Sequence, residues 1–332
     1  MTVDTPGPGR PAGDFLREAE AFRPELLAHC YRMLGSFDDA EDLVQETYLR
    51  AWRAWDRFEG RSSVRTWLYR IATNLCLTAL THASRRVLPS GLGPPSGDHD
   101  APPQDAGAGT LWLQPFPDVA LAAAFGDPAD AISARAGLRL ALVAALQHLS
   151  ARQRAVLILR DVLAFPAAEV AATLDMSVAA VKSALQRARA RLDELAVRAD
   201  DLAEPESSQA RAVLDAYIAA FENADAGALT RLLRTDATLE VTPSRTWFAG
   251  KRTCAPFLAR YVLTTPGEYC MYPTTANGQP AAVTYRRPRP GQPYAPFGVA
   301  VLRTRAAHLA GITAFTDPAL VTRFGCPGRS RD

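Results

Sequence analysis

Residues 177–191 carry the side chains whose chemistry is easiest to interpret. This segment holds four basic residues and no acidic residue, although the net charge of the whole chain is only +2. Lysine, arginine, serine and glutamine side chains hydrogen-bond to phosphates and to the edges of bases. A solvated basic helix without a partner is the plain alternative. The side chains that could reach a base or a phosphate are Lys182, Ser183, Gln186 and Arg187.

The elements around these side chains predict a helix-turn-helix over residues 166–192. A short helix follows Pro166, a turn lies at Asp175, and Ser177 is a good N-cap for a second helix. Small residues at the start of that helix allow it to enter a major groove, and an upstream helix over residues 150–163 supplies apolar support. We therefore predict that this helix binds DNA through Ser177, Ala180, Lys182, Ser183, Gln186 and Arg187.

Charge is segregated in the first part of the chain. Residues 14–60 contain eleven acidic residues and six arginines, whereas residues 61–86 contain five arginines and no acid. Aromatic residues accompany the basic part, including Trp67 and Tyr69, and such mixtures suit unstacked single-stranded bases. We interpret the two halves as an acidic face for a protein and a basic face for DNA, with ordinary surface charge as the alternative.

Composition sets limits on other functions. No two of the five cysteines have metal-ligand spacing and no histidine cluster joins them, so we expect no metal site, no cofactor and a reduced compartment. The sequence has no run of about eighteen apolar residues, so we predict no membrane span. Lys182 and Lys251 are the only lysines, so positive charge rests almost entirely on arginine.

Periodicity divides the chain into four segments. Residues 14–86 have helical spacing, with Leu43, Tyr48, Leu49 and Trp52 among the apolar positions. Residues 87–134 are rich in Pro, Gly and Asp and lack Lys and Arg, which predicts an acidic linker. Residues 135–199 are again helical, and residues 204–209 form a second joint. In residues 207–326 an amphipathic helix is followed by strand-like runs, which is typical of an α+β domain.

Two groups of motifs resemble extracytoplasmic-function sigma factors of the sigma-70 family. The first is Ala40-Glu41-Asp42-Leu43-Val44-Gln45-Glu46-Thr47, followed by Phe58, Gly60 and the run from Arg65 to Asn74; it is similar to region 2. The second is Leu149-Ser150-Ala151-Arg152-Gln153-Arg154 with the helix-turn-helix, and it is similar to region 4. The resemblance implies a multidomain chain with two all-α domains and a function in transcription initiation.

The resemblance also implies roles for individual residues. The acidic face would bind the clamp helices of the polymerase β′ subunit, and region 4 would contact the β flap. Residues 59–64 would capture a flipped base of the minus-ten element, and the linker would run towards the polymerase cleft. The implied polymerase contacts are Asp39, Asp42, Gln45 and Glu46. The implied DNA contacts of the first domain are Arg61, Ser62, Ser63, Arg65, Trp67, Arg70, Asn74, Arg85 and Arg86.

The last segment is similar to the SnoaL-like domain of some sigma factors, a cone-shaped α+β barrel. The resemblance rests on residues 210–221, 247–251, 276–280 and 315–318. Such cones can hold a catalytic pair in an apolar pocket, yet none of the polar candidates stands in a recognisable motif. We therefore expect a regulatory domain that takes a small ligand or an anti-sigma factor. The polar candidates are Asp236, Glu240, Arg245, Tyr272, Tyr285 and His308.

Three functions therefore stand side by side. The first is a sigma factor that needs core RNA polymerase and promoter DNA. The second is a helix-turn-helix regulator that acts without the polymerase, although such a regulator needs neither the acidic motif at residues 42–46 nor the helix around Trp67. The third is a SnoaL-type enzyme fused to DNA-binding helices, which a catalytic pair in the cone would favour.

Overall fold

The chain folds into two compact units. The computed structural model describes residues 12–81, 84–122, 137–195 and 207–325. One unit is formed from residues 1–85, 120–137 and 145–197, and the second from residues 86–119, 138–144 and 198–332. Residues 204–206 of the predicted joint, the end of the predicted linker and Cys326 lie outside the described residues.

The first unit begins with four helices whose ends follow from their sequences. Gly35 adopts a left-handed φ of 72° and ends the second helix, while Ser36 caps the third by accepting the Asp39 amide at 3.2 Å. Ser63 caps the fourth helix by accepting the Thr66 amide at 3.1 Å. These helices are α1 (Ala12–Ala19), α2 (Arg23–Leu34), α3 (Phe37–Ala54) and α4 (Val64–Ala79).

Apolar residues recur at helical spacing along α3, but not all of them are buried. Leu49 is 49% exposed and Trp52 is 54% exposed, while the Tyr48 hydroxyl donates to the Ala19 carbonyl at 2.7 Å. Leu49 and Trp52 therefore lie outside the core of the first unit. Small residues let α3 pack closely on α2 and α4, and the buried positions are Phe37, Ala40, Val44, Thr47 and Ala51.

The second half of the first unit contains the predicted helix-turn-helix. Ser150 starts the supporting helix with a capping box to Gln153, Asp175 makes the turn with a φ of 51°, and Ser177 caps the last helix through the Ala180 amide at 3.1 Å. The helices are α5 (Val119–Ala122), α6 (Leu140–Leu146), α7 (Ala151–Leu157, continued by a π turn at Ile158–Val162), α8 (Ala167–Leu174) and α9 (Val178–Glu194). Helices α5 and α6 each have residues in both units, because the division falls after residue 119 in α5 and after residue 144 in α6.

The second unit is built on one six-stranded sheet in the order β2-β1-β6-β5-β4-β3. The paired strands are antiparallel except β1 and β6, which are parallel. Its helices are α10 (Ser208–Glu222), α11 (Ala226–Leu232), α12 (Lys251–Tyr261) and α13 (Pro318–Arg323). Its strands are β1 (Leu233–Thr242), β2 (Trp247–Ala249), β3 (Tyr269–Ala276), β4 (Gln279–Arg286), β5 (Ala295–Arg305) and β6 (His308–Phe315).

The core of the second unit lies between one face of this sheet and the helices. Tyr217 and Phe221 of α10 pack with Leu239 of β1, Phe257 of α12 and Ile312 of β6 in one buried cluster. Apolar side chains at i, i+4 of the helix and alternate positions of the strands account for this contact. The domain therefore has the predicted cone-shaped α+β fold.

Residues 86–119 belong to the second unit instead of forming a bare linker. Their backbone pairs with the C-terminal domain at two isolated bridges, Asp105 with Ser244 and Pro117 with Ala276. Phe116 is fully buried and Leu113 is 1% exposed. The small apolar patch that interrupts the Pro/Gly-rich sequence supplies a hydrophobic anchor, so this part of the predicted linker is folded.

Candidate nucleic-acid interface

The face of α9 that carries the predicted base contacts is open to solvent. Lys182, Ser183, Gln186 and Arg187 are all exposed, and Arg187 donates to the Ser183 hydroxyl at 2.5 Å. The opposite face is buried through Val181, Ala184, Leu185 and Ala188. Ser177 is exposed as the N-cap, and Ala180 is half-buried. The helix is thus held from one side and presents a basic surface on the other.

Arg189 differs from its neighbours on α9 because it is engaged within the molecule. Its guanidinium donates two hydrogen bonds to the Asp161 carboxylate, at 2.8 and 2.7 Å. A two-point arginine–carboxylate contact fixes both groups in one plane, and this contact raises the pKa of Arg189. Arg189 therefore ties α9 to the π turn after α7, whereas Arg187 has its charge available on the surface.

Arg70 and Asn74 of α4 face a wide polar groove. Both side chains are exposed, and the groove has a volume of about 690 Å³. Its far wall belongs to α7 and α8 and includes Arg152 and Asp175. Two guanidinium groups beside an amide can donate hydrogen bonds to backbone phosphates, and the amide can also hydrogen-bond to bases. The geometry thus brings two of the predicted contacts in α4 to one accessible surface.

Arg65 and Trp67, which were also predicted to contact DNA, have partners inside the protein. The Arg65 guanidinium pairs with Glu25 at 2.9 Å and lies 5.1 Å from the ring centroids of both Tyr69 and Phe165. The Trp67 ring stacks on Phe58 at a centroid distance of 4.7 Å. Both side chains are half-buried. In this arrangement they fix α4 and the loop before it.

The remaining predicted contacts of the first segment are spread over loop positions. Arg61 and Ser62 are exposed, Arg61 pairs with Glu59, and Ser63 acts as the N-cap already described. Arg85 hydrogen-bonds to His148 at 2.9 Å in the first unit. Arg86 donates to the Trp112 carbonyl at 3.0 Å in the second unit. Adjacent arginines thus belong to different units, which sequence alone did not indicate.

The acidic face lies on the exposed side of α3. Asp42 and Gln45 are exposed, whereas Asp39 is half-buried, and Glu46 pairs with Arg50 at 2.6 Å. The exposed apolar side chains of Leu49 and Trp52 continue the same side of the helix at spacings of three and four. The sequence signal for this extension was the helical spacing of Leu49 and Trp52, which does not by itself distinguish a buried face from an exposed one.

The support of the helix-turn-helix contacts α2 and α4 inside the first unit. The Thr66 hydroxyl of α4 donates to Glu169 of α8 at 3.3 Å, and Tyr69 meets Phe165 edge to face at 5.3 Å. Arg154 of α7, only 4% exposed, donates to the Met33 carbonyl at the end of α2. The two groups of predicted DNA contacts therefore belong to one compact arrangement.

The cone contains an apolar cavity of about 100 Å³. Hydroxyl-bearing residues in its otherwise apolar lining are Tyr217, Tyr269, Thr284 and Thr316. The six polar candidates named from the sequence are all within the described residues, and none of them lines it. Asp236 is exposed and pairs with Arg234, and it lies inside β1 instead of at a turn before a strand.

Asn277 is the centre of the contact between residues 86–119 and the C-terminal domain. It is fully buried; its Oδ1 accepts the Phe116 amide at 2.8 Å and its Nδ2 donates to the Leu138 carbonyl at 2.7 Å. The next amide, of Gly278, donates to the Asp118 carboxylate at 3.0 and 3.1 Å. Asn277-Gly278 forms the hairpin turn between β3 and β4, as its sequence indicates. The sequence did not indicate the role of the Asn277 side chain.

Family models match the two helical segments. The model for Sigma-70 region 2 matches residues 19–86, and the model for Sigma-70, region 4 matches residues 139–192. These matches coincide with the helices that carry the acidic face, the groove and the basic α9 surface. The fold and these surfaces thus define a sigma-70-type initiation factor.

Curated relatives extend the similarity over almost the whole chain. The ECF RNA polymerase sigma factor SigG of Mycobacterium tuberculosis is 47% identical over 95% of this chain and 84% of its own length. The probable ECF RNA polymerase sigma factor SigI of the same species is 27% identical over 89% of this chain and 86% of its own length. The crystal structure of M. tuberculosis SigJ covers 95% of this chain and all of its own, with a TM-score of 0.59 and 23% identity, so it shares the fold.

The chain belongs to the ECF RNA polymerase sigma factors. Proteins of this family bind core RNA polymerase and promoter DNA, and they are transcription initiation factors, not enzymes. The prediction of a sigma factor with a C-terminal SnoaL-like domain is thereby confirmed. Within the described residues no helix is long and apolar enough to cross a membrane.

Proposed function

We propose that the chain holds promoter DNA at two places and core polymerase at a third. The observation that carries this proposal is the open basic face of α9, where Lys182, Gln186 and Arg187 are exposed while the opposite face is buried. A helix held in this way can enter a major groove and read base edges. We assign the minus-thirty-five element to this helix.

The minus-ten element is assigned to α4 and to the loop before it. Arg70 and Asn74 are exposed beside a polar groove, and Ser62 is exposed in the loop over residues 59–64. Moving a base out of the DNA stack costs a free energy of a few kcal/mol. Contacts between this loop and the flipped base can offset that cost. Arg65 and Trp67 support the loop from within, so their substitution would act through its position.

The polymerase contact is assigned to the exposed side of α3, through Asp39, Asp42, Gln45 and Glu46. Leu49 and Trp52 extend this side with apolar area, and exposed aromatic residues often supply much of the free energy of an interface. We assign the β′ clamp helices to this face. The β flap is assigned to the helix-turn-helix domain on the strength of the family resemblance alone.

The first unit has to open when both promoter elements are bound. Elements centred about 25 base pairs apart are separated by roughly 85 Å of duplex at 3.4 Å per base pair. In the structure, however, α4 and α8 are joined by a hydrogen bond of 3.3 Å between Thr66 and Glu169. We infer that the free chain is closed and that core polymerase separates the two DNA-binding parts.

The C-terminal domain is proposed to regulate initiation by holding residues 86–119. The family resemblance assigns this segment to the polymerase cleft, and in the free chain it is bound by Asn277, Trp247 and Glu240. A segment that is hydrogen-bonded and buried on one domain is not available to another partner. Release of the segment is therefore the step at which a regulator of the domain would act.

The test of the α9 assignment compares two arginines two positions apart. Arg187→Ala should weaken binding of the holoenzyme to the minus-thirty-five element by about 1–3 kcal/mol and relax specificity there. Arg189→Ala is the matched control, because Arg189 is engaged with Asp161. Binding is measured with fragments selected by the holoenzyme and their upstream variants. Equal losses for both variants at all sequences would contradict base reading by Arg187.

A further inference from the structure

A second cavity in the C-terminal domain lies on the opposite face of the sheet from the apolar cone. In β1 the alternate residues Leu239 and Val241 line the apolar cavity, whereas Thr238 and Glu240 line this one. Its volume is about 200 Å³. The roof is formed by Leu88 and Ser90 and by the first residues of α6, so it includes part of the segment that precedes the domain.

A buried carboxylate forms one end of this cavity. Glu240 is 8% exposed, and its Oε2 accepts the Ser90 amide at 2.9 Å. Burial raises the pKa of Glu240, while Ser90 and Arg303 lower it. Among the described residues, Ser90 alone donates a hydrogen bond to this carboxylate. An ionised carboxylate can accept about four hydrogen bonds, so Glu240 has capacity for a further donor.

A guanidinium forms the other end. Arg303 donates through Nη2 to the Thr238 hydroxyl and to the Ala310 carbonyl, each at 3.0 Å. Within the described part of the chain, its Nε and Nη1 donate to no acceptor. Gly311, its partner across β5 and β6, leaves space for the group, because a Cβ there would lie 2.9 Å from Nη2. The sheet is thus built to keep this arginine flat against it.

The two charges face the same cavity without forming an ion pair. Burial lowers the pKa of Arg303 and the charge of Glu240 offsets part of this effect, while the charge of Arg303 partly offsets the rise that burial causes in the pKa of Glu240. No N–O contact within 4.0 Å joins them among the described residues. Two opposite charges that are partly removed from water and do not contact each other lack full compensation. A molecule that carries one positive and one negative group can stabilise both.

The remaining walls are mainly apolar, with Gln279 and Thr313 as the other polar residues of the lining. The Gln279 side chain accepts the Leu140 amide at 3.3 Å and so links β4 to α6. An engineered cavity of about 150 Å³ binds benzene, so 200 Å³ suits a molecule of roughly ten heavy atoms. The apolar lining consists of Leu88, Leu140, Ala141, Ala144 and Val301.

We propose that this cavity binds a small zwitterion, a free α-amino acid with a branched aliphatic side chain. Its ammonium group donates to Glu240, its carboxylate accepts from Arg303, and its side chain packs against Leu88, Leu140 and Val301. The ligand contacts the roof as well as the sheet, so it holds residues 88–90 on the domain. That consequence rests on the proposed regulatory role of residues 86–119, whereas binding itself does not.

The test measures binding of L-leucine to the full chain by calorimetry and ligand-observed NMR. 4-Methylpentanoate lacks the ammonium group and 3-methylbutylamine lacks the carboxylate. Each should bind at least about tenfold more weakly than L-leucine, because each loses one charge-assisted contact. Absence of L-leucine binding at millimolar concentration, or equal binding of the three compounds, would overturn the proposal.

Two substitutions locate the binding. Glu240→Gln should remove the advantage of L-leucine over 4-methylpentanoate, and Arg303→Gln should remove its advantage over 3-methylbutylamine. Asp236→Asn, at an exposed ion pair on the same strand, is the control and should leave all affinities unchanged. Loss of L-leucine binding in the control alone would place the site elsewhere. If a variant does not fold, the comparison of the three compounds on the unaltered chain still decides.

Discussion

Asn277 offers the sharpest perturbation of the contact between residues 86–119 and the C-terminal domain. Asn277→Ala removes two hydrogen bonds. The Phe116 amide loses its acceptor, the Asn277 Oδ1, and the Leu138 carbonyl loses its donor, the Asn277 Nδ2. The Phe116 amide and the Leu138 carbonyl remain buried after the substitution, because both residues are fully buried. The backbone hydrogen bond from the Asn277 amide to the Phe116 carbonyl at 2.9 Å is retained.

The magnitude follows from the two groups left without a partner. Each buried group that loses its hydrogen bond costs about 1–3 kcal/mol. Two such groups, with part of the loss recovered by local adjustment, give about 3 kcal/mol. That value corresponds to an increase on the order of a hundredfold in the population of the locally opened state. Alanine at a φ of 56° adds a smaller backbone strain.

Hydrogen exchange followed by mass spectrometry measures this opening directly. Peptides covering residues 111–118 should exchange on the order of a hundredfold faster in Asn277→Ala than in the unaltered chain. Asn277→Gly should show the same increase, since glycine tolerates the positive φ and loses the same hydrogen bonds. Asn223→Ala is the control, because Asn223 is exposed and its amide donates to Ala219 within one helix end.

Two outcomes would refute this reasoning. Unchanged exchange of residues 111–118 in both Asn277 variants would show that the side chain does not hold the segment. Faster exchange in Asn277→Ala but not in Asn277→Gly would attribute the effect to backbone strain instead of the lost hydrogen bonds.

Three further predictions concern the first unit. His29 is buried against Thr73, and burial lowers the pKa of His29 to about 3. In the unfolded chain this histidine has its ordinary pKa of about 6.5 and binds a proton at a higher pH than in the folded chain. The free energy of unfolding therefore falls as the pH drops from about 6.5 towards 3. At pH 4 the loss is about 3 kcal/mol, and denaturant titration of His29→Gln should lack this component; an identical pH profile would contradict it. Trp52→Ala should weaken core binding by at least about 2 kcal/mol without lowering Tm, and unchanged affinity in fluorescence titration would remove Trp52 from the interface. Spin labels at Thr78 and Ala190 should move apart when core polymerase is added, and an unchanged distance would argue against opening.

The sequence was informative wherever local chemistry decides the structure. Ser177 and Asp175 define the turn of the helix-turn-helix, and the structure places both as expected. The strand-like runs of the C-terminal sequence, at residues 237–242, 269–275, 281–286, 298–303 and 309–315, lie within β1, β3, β4, β5 and β6, because alternation and turn residues are local signals. The short strand β2 (Trp247–Ala249) was missed, since three residues carry no usable alternation.

Sequence patterns were less informative where packing partners decide the structure. Leu49 and Trp52 recur at helical spacing, yet the neighbouring helices cover Ala40, Val44 and Ala51 instead. Residues 86–119 have the composition of a linker, but distant groups of the C-terminal domain hold them, among them Glu240, Trp247 and Asn277. Local periodicity and composition do not determine which elements pack against α3 or against residues 86–119. The cavity between Glu240 and Arg303 also depends on strand register, which is not a local property.

The measurement that tests the central claim most directly is transcription with purified core polymerase and the full chain. The template is a library of genomic fragments, and the transcripts are sequenced. We predict transcripts that start downstream of a shared pair of elements, that need both the chain and the core enzyme, and that are reduced by Asp42→Ala together with Gln45→Ala. Transcription independent of the chain, or DNA binding by the chain with no binding to core polymerase, would contradict it.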